Sequence, residues 1–501
     1  MTDTTITPNL NRRYLLILLI ATLFVQGIMY ISYPLGNSVN NDNQAGQVYL
    51  MNEFVSGHFM VGNVRYNPGY ALVLAPFKAV TDLFGESLAP RLLLLVHLVA
   101  YSTIPFMAYD IMRRRFTPWA GLITGLIVLI DPFGLQWMHF QLPGWLIATV
   151  TVWALWMAQL SWDTTTRRRF VLVAIASIGL GLMTFARFNY APLVALYGLS
   201  FFLWTHIPLR QRLGLFAMVG VISVSILGGY VLAVHIPSTG TTTLSCITGN
   251  NLATGLLEKD IPMRASNGVH SANYAKLLTL KADRVTDFYE YTYPLWQNPA
   301  SWVTPEELDA FLAQPFGDPQ EDITVVFPAA LYWYLGPCDA DALLYDVYFE
   351  AIARQPVKLV YEVLKSTLYM LIQHPTETSF HHMYVDRADM IDWRGNGNFG
   401  FYEAYSAMYD GHLVWRYGVE LYTALFTPLN LLKLLTPFAV IWAVWKRDWF
   451  TVTVAIVLLV GLLLIASAAR MEPRYYAMLS PLFTILIGGF VAELIQRLRA
   501  R

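Results

Sequence analysis

Charge is what this 501-residue sequence has least of. Only 13% of its residues are charged and 56% are hydrophobic, whereas a typical soluble domain carries about 25% charged residues. A water-soluble fold of this composition would have too little polar surface to cover itself, which excludes a soluble enzyme. The net charge of −1 leaves no global field to attract nucleic acid or an acidic surface, so nucleic acid is not an expected partner. Internal repeats and low-complexity tracts are also missing, and with them the duplicated halves that often mark transporters. Cysteine is nearly absent, with two in the chain, Cys246 and Cys338.

Long apolar runs take the place of charge. A helix crossing the hydrocarbon satisfies its own backbone over roughly 20 residues. Ten such runs occur, at about 14–33, 89–112, 117–130, 142–160, 170–186, 190–206, 213–236, 420–445, 450–469 and 475–495, the third of them short. Lys and Arg stay preferentially on the cytoplasmic side. With the N-terminus inside, the clusters Arg12-Arg13, Arg113 to Arg115, Arg167 to Arg169, Arg210 with Arg212, Lys446-Arg447, and Arg497, Arg499 and Arg501 all fall on one side. An eleventh run, 69–84, would invert everything after it if it crossed, so it is expected to be an interfacial helix on the outer face. The first span has a basic start and an apolar centre but no Ala-x-Ala site, which favours an uncleaved anchor over a signal peptide.

The expected fold is therefore all-α and polytopic, with about ten transmembrane helices, outer-face interfacial helices and a small extracytoplasmic domain. Residues 1–236 form an N-terminal membrane module with a first outer loop at 34–88, residues 237–419 the extracytoplasmic domain, and residues 420–501 the C-terminal spans. Both termini are cytoplasmic, in a cell membrane and in a bacterial setting. Cys246 and Cys338 both fall in the extracytoplasmic segment, where disulfides persist, so a bond is expected between them, with two separate buried thiols as the alternative. The stretch 351–373 is amphipathic, interrupted by Lys358 and Lys365, and is placed at the interface.

Candidate chemistry begins in the first outer loop, where Asp42 stands among the amides Asn40, Asn41, Asn43 and Gln44. Without an adjacent cation it can keep the basicity of a proton acceptor; capping a helix that starts near Ala45 is the other reading. Tyr66-Asn67-Pro68-Gly69-Tyr70 sets a turn into the interfacial helix, with its aromatic rings at headgroup level. Two patterns mislead. Gly395 to Gly400 matches Gly-x-Gly-x-x-Gly with no strand before it, which argues against a dinucleotide site. His381-His382 with Asp386 does not have zinc spacing.

Taken in order, these features resemble the GT-C glycosyltransferases of the protein-mannosyltransferase and aminoarabinose-transferase type. That likeness rests on an acidic residue soon after span one, the Asn-Pro-Gly-Tyr turn into an interfacial helix, and a following span that ends in a basic cluster. It continues through Asp131 before Pro132, Gly181 to Arg187, the Gly249-Asn250-Asn251 loop, Glu350 to Pro356, and Glu472-Pro473-Arg474-Tyr475-Tyr476. One departure is Asn41 beside Asp42, where several relatives have paired acids.

The resemblance implies a polyprenyl-phosphate-linked sugar donor and inverting transfer to a glycan, lipid or protein acceptor at the outer face, with Asp42 as the base. Arginine suits the departing phosphate because it donates two parallel hydrogen bonds. Arg187, Arg470 and Arg474 lie at outer ends of spans, against the positive-inside trend, so they are candidates for it; snorkelling to lipid phosphate is the alternative. Arg65 and Lys78 have weaker claims. Asp131 is assigned to holding the acceptor or positioning a divalent cation, or is simply a span-terminal Asp before proline. Tyr66, Asn67, Tyr70, Asn250 and Asn251 make up the expected substrate loops. A polyprenyl-glycan ligase or polymerase of similar architecture is the second reading. A lipid or sugar transporter is the third, disfavoured because the suspect residues cluster at span ends instead of mid-bilayer.

Overall fold

The computed structural model describes residues 8–32, 48–62, 67–84, 88–131, 143–278 apart from 163 and 260, 335–372, 431–468 and 478–499, with a few isolated positions between them. Among the described residues the fold is helical without strands. Among the described residues seven helices are long and apolar enough to cross a membrane: α1 (Pro8–Ser32), α4 (Leu88–Arg115), α6 (Gly144–Trp162), α7 (Thr166–Ala186), α9 (Leu209–Thr239), α15 (Trp449–Ala468) and α16 (Ser480–Arg499). Three shorter apolar helices are also described: α5 (Pro118–Leu129), α8 (Ala191–Leu203) and α14 (Leu432–Trp445). Each of the ten apolar runs in the sequence thus overlies a helix, and the protein is a multi-pass membrane protein. The part of the eighth run before residue 431 lies outside the described residues.

Local chemistry sets the boundaries. Thr117 caps α5 by accepting the Ala120 N–H at 3.1 Å, and Pro118 occupies the first turn, where a missing N–H costs nothing. Small residues then let α5 approach its neighbours. A Cβ on Gly121 would lie 2.6 Å from the Tyr109 carbonyl of α4. In a bilayer, where lipid tails are as apolar as leucine, such close backbone contact replaces the hydrophobic drive to associate. α1 and α9 bury little of their apolar surface and leave side chains such as Phe24, Val221 and Val224 exposed, as lipid-facing helices do.

All the basic clusters described gather at one end of the bundle. Arg115 at the end of α4 pairs with Asp448 at the start of α15 and donates to Gln159 of α6 at 3.2 Å. Arg169 of α7 donates to the Ser161 carbonyl at 3.0 Å and to Gln211 of α9 at 2.9 Å. Glu493 of α16 takes Lys446 at 2.9 Å and Arg497 at 2.6 Å. These contacts tie seven helix termini into one basic face, as the charge pattern requires.

At the opposite end, α3 (Pro68–Phe84) packs against α4 and α7, and α2 (Val48–Val55) packs against α3. α3 is the helix expected at 69–84. A second core forms from α10 (Thr248–Glu258), α11 (Val269–Leu278) and α12 (Pro337–Arg354), and the Cys246–Cys338 disulfide is present in it. α12 is the central helix here. Asp341 accepts the Asn250 N–H at 3.0 Å at the start of α10, while Glu350 accepts the His270 and Ser271 N–H groups at 3.0 and 2.7 Å at the start of α11. Nine positions along an α-helix is a half-turn excess, so the two carboxylates cap neighbours on opposite sides of α12. The next helix, α13 (Pro356–Ile372), packs on α15 with its polarity reversed: Glu362, Ser366 and Thr367 are buried, whereas Val357, Val360, Leu364 and Leu368 are exposed. An apolar outer stripe on a membrane protein fits the interfacial placement expected for 351–373.

Candidate functional site

Several of the expected site residues meet at the end of the bundle opposite the basic face. The turn into α3 is held by Asn67, nearly buried, whose side-chain amide donates to the Thr184 carbonyl at 3.4 Å near the end of α7. Gly69 follows two residues later, and a Cβ there would lie 2.6 Å from the Phe185 backbone. The Asn-Pro-Gly-Tyr turn therefore joins two backbones at a distance only glycine allows. Tyr70 is fully buried beside Trp145 of α6.

α7 ends at Arg187. Its N–H still closes the helix on the Met183 carbonyl at 3.2 Å, but its backbone is extended, with φ −157° and ψ 118°. Arg187 is half-buried where the helix stops, one turn from the carbonyl that Asn67 holds. Beyond it, Tyr190 donates to the sulfur of Met478, just before α16. These contacts link the ends of α3, α7 and α16.

Asp131 stands where α5 ends and is 3% exposed. Its Oδ1 lies 3.4 Å from Lys433 Nζ in α14, and Lys433 in turn donates to Ser480 Oγ at 2.9 Å at the start of α16. Oδ2 is buried without a hydrogen-bond partner among the described residues, as is the hydroxyl of Tyr101 in α4. Lys433 escaped the sequence reading, although a lone cation between Leu431-Leu432 and Leu434-Leu435 was a usable signal, because ionisable residues within spans are rare and tend to be functional.

The Gly-Asn-Asn segment opens α10 instead of a loop. A Cβ on Gly249 would lie 2.0 Å from the Asp341 carbonyl, so the glycine sets the contact between α10 and α12. Asn250 is buried and its N–H is used by Asp341, while Asn251 is half-buried. Burial pushes the Asp341 carboxyl up to about 6, against the opposing effect of the Asn250, Gly249 and Thr248 N–H groups. Glu350 is held below the usual carboxylate range: the hydrogen bonds of Ser271 and His270 outweigh the upward push of its partial burial. Asp42, Arg65, Tyr66, Arg470 and Arg474 lie outside the described residues, as do His381, His382 and the 395–400 glycines. Among the described residues no group of three or more His, Cys, Asp or Glu side chains is arranged to hold a metal ion.

The chain is similar in structure to ArnT from Cupriavidus metallidurans in the apo state, with a TM-score of 0.36 and 13% identity over 96% of this chain and 78% of that one. The same protein bound to undecaprenyl phosphate gives a TM-score of 0.37 and 14% identity over the same shares of the two chains. The archaeal oligosaccharyltransferase AglB from Archaeoglobus fulgidus, in complex with an inhibitory peptide and a dolichol-phosphate, gives 0.43 and 13% identity over 97% of this chain and 51% of that one, so this chain spans about half of its length. No protein of curated function matches the sequence. Residues 71–228, which run from α3 into α9 and include Asp131 and Arg187, match the dolichyl-phosphate-mannose-protein mannosyltransferase family, a family of the glycosyltransferase type that the sequence motifs resemble.

Proposed function

We propose that this protein is a membrane glycosyltransferase that takes a sugar from a polyprenyl-phosphate donor and passes it to an acceptor hydroxyl at the end of the bundle opposite the basic face. The observation that carries the proposal is that the family-matching segment, residues 71–228, supplies both Arg187 and Asp131 to that end. With the basic face in the cytoplasm, this end is the outer one, which suits a donor presented at the outer leaflet. In this reading the N-terminal module at 1–236 supplies the base Asp42, Asp131 and Arg187, the unit at 237–419 is extracytoplasmic, and the segment from 420 to 501 contributes Lys433, Arg470 and Arg474.

Transfer is a single displacement. The acceptor oxygen bonds to the anomeric carbon as the carbon–oxygen bond to phosphate breaks, the acceptor proton passes to the Asp42 carboxylate, and polyprenyl phosphate leaves with inversion. Arg187, Arg470 and Arg474, with Arg65, neutralise the departing phosphate. Asn251 lines the approach, with Asn67, Tyr66 and Tyr70 setting the turn beside it, and Asn250 supports the fold beneath. Asp131 receives the acceptor; a divalent cation is a further ligand that the reaction could use. The readings as a ligase or polymerase predict transfer of a preassembled glycan from a polyprenyl carrier, which the same assay separates.

The test supplies purified protein with a panel of polyprenyl-phosphate-linked monosaccharides and, as acceptor, envelope extract from cells lacking the protein. Wild type is expected to release polyprenyl phosphate and to label a component of the extract. Asp42→Asn keeps size and most hydrogen bonding but removes basicity, so turnover should fall by about 10²–10⁴ with the melting temperature preserved. Near-normal turnover in Asp42→Asn removes the assigned base, and loss of folding along with activity supports the helix-cap role instead.

A further inference from the structure

At the basic face, α14 stops in a left-handed turn built on a residue other than glycine. Arg447 has φ 53°, the one positive φ outside glycine among the described residues. Its N–H donates to the Val444 carbonyl and the Asp448 N–H to the Ala443 carbonyl, both at 3.0 Å, which is the pairing of a Schellman stop. Glycine is the usual residue at the left-handed position of that motif, because a Cβ there crowds the following carbonyl. A cation is thus held where the backbone favours glycine.

The side chains around this turn carry more positive charge than they balance. Lys446 and Arg497 of α16 converge on one oxygen of Glu493, at 2.9 and 2.6 Å, and the other oxygen accepts the Trp442 Nε1–H at 3.2 Å. Asp448 is taken by Arg115. Among the described residues, Lys446, Arg447 and Arg497 therefore share one carboxylate, three cations to one anion. Lys446 Nζ and the Arg497 guanidinium also flank the Trp445 ring, 5.7 and 5.8 Å from its centre, and that indole is 70% exposed. Ile441 and Val444 of α14 and Leu494 of α16 are exposed as well. Both helices run towards the basic face, so these apolar side chains lie on the membrane side of the cations. The positive-inside pattern and the dipole of α14 account for cations at this end. They do not account for an exposed indole between two of them, or for arginine in the left-handed position.

We infer that this surface binds an anionic phospholipid of the leaflet on the basic side: the phosphate sits among Lys446, Arg447 and Arg497, and an acyl chain runs past Trp445 along Ile441, Val444 and Leu494. The excess charge calls for an anion. The apolar side chains directly on its membrane side call for an anion that carries a hydrocarbon tail, which a free phosphate or an acidic peptide lacks. Basic clusters between membrane helices recognise lipid headgroups in this way, with tryptophan at the level of the interface. The inference stands apart from the glycosyl-transfer reading, since it uses the opposite end of the bundle.

Native mass spectrometry of the full chain in detergent tests it, with phosphatidylglycerol and phosphatidylcholine of the same acyl chains titrated in turn. Wild type should retain phosphatidylglycerol about 25-fold more tightly, two unbalanced charges at about fivefold each. Arg447→Gly removes one charge and suits the left-handed turn, so it should melt no lower than wild type and yet bind phosphatidylglycerol about fivefold more weakly. Arg497→Gln leaves Glu493 paired with Lys446 and should lose a similar factor. Arg168, exposed on α7 elsewhere on the basic face, is the control, and Arg168→Gln should change the affinity by less than about twofold. An equal loss in Arg168→Gln would show diffuse attraction to the whole face and overturn the site, as would wild-type affinity in Arg447→Gly. Inorganic phosphate that displaces the lipid at the lipid's own concentration would overturn the lipid assignment, since the tail would then contribute nothing.

Discussion

Replacing Asp341 by Asn should abolish a pH dependence of stability that the structure places in one carboxyl group. Asp341 is 6% exposed, accepts the Asn250 N–H at 3.0 Å, and caps α10 from within α12. Burial raises its pKa from 3.8 to about 6. The folded chain therefore holds this proton between about pH 4 and 6, where the unfolded chain has lost it. The sign follows: with more protons bound in the native state across that window, stability falls as pH rises through it. A shift of about two units corresponds to roughly 3 kcal/mol at most. Glu350 acts in the opposite sense and at lower pH, since its depressed pKa contributes stability above the ordinary glutamate value that is lost only in stronger acid. The assay is an intrinsic-fluorescence melt of the disulfide-intact protein in detergent, from pH 4.5 to 7.5. Wild type should melt at progressively lower temperature as pH rises towards 6.5. Asp341→Asn keeps an oxygen to accept the N–H but cannot ionise, so the difference between the two curves isolates the group from histidines that titrate in both. Asp341→Ala, which loses the cap, should be less stable by about 0.5–2 kcal/mol. An Asp341→Asn protein with the wild-type slope would refute the assignment.

Two further measurements address the disulfide and the topology. The Cys246–Cys338 bond closes a loop with a sequence separation of 92, which the chain-entropy model values at about 4–5 kcal/mol. Mass measured before and after reduction and alkylation should show no alkylation until reductant is added, and two thiols alkylated in the unreduced, denatured protein would contradict the bond. Since neither native cysteine is then free, a cysteine at Phe84, which is 72% exposed at the end of α3, can report topology. It should react with a membrane-impermeant maleimide in intact cells; reaction only after permeabilisation would place the far end of the bundle in the cytoplasm.

Much of this molecule was legible from its sequence because the bilayer restricts the choices. Each crossing segment must satisfy its own backbone, so ten apolar runs mapped onto ten helices. The Lys and Arg clusters sorted onto one side because charge resists translocation, and their pattern kept 69–84 out of the count of spans. Two cysteines confined to one segment were enough to anticipate their pairing. Short motifs fared differently, because spacing says which residues are neighbours along the chain and not what packs against them. Gly249-Asn250-Asn251 reads as a loop, but Gly249 is where α10 touches α12, and Asp341, 91 residues away from Asn250, takes the freed N–H groups. Asp131 reads as the end of a span. Only the assembled helices decide that Lys433 from 302 residues away meets it, and that one carboxylate oxygen is left buried without a hydrogen-bond partner among the described residues. The sequence determined which segments enter the lipid, since that follows from local hydropathy and charge. What meets the Asp131 carboxylate depended on the packing of helices remote in sequence.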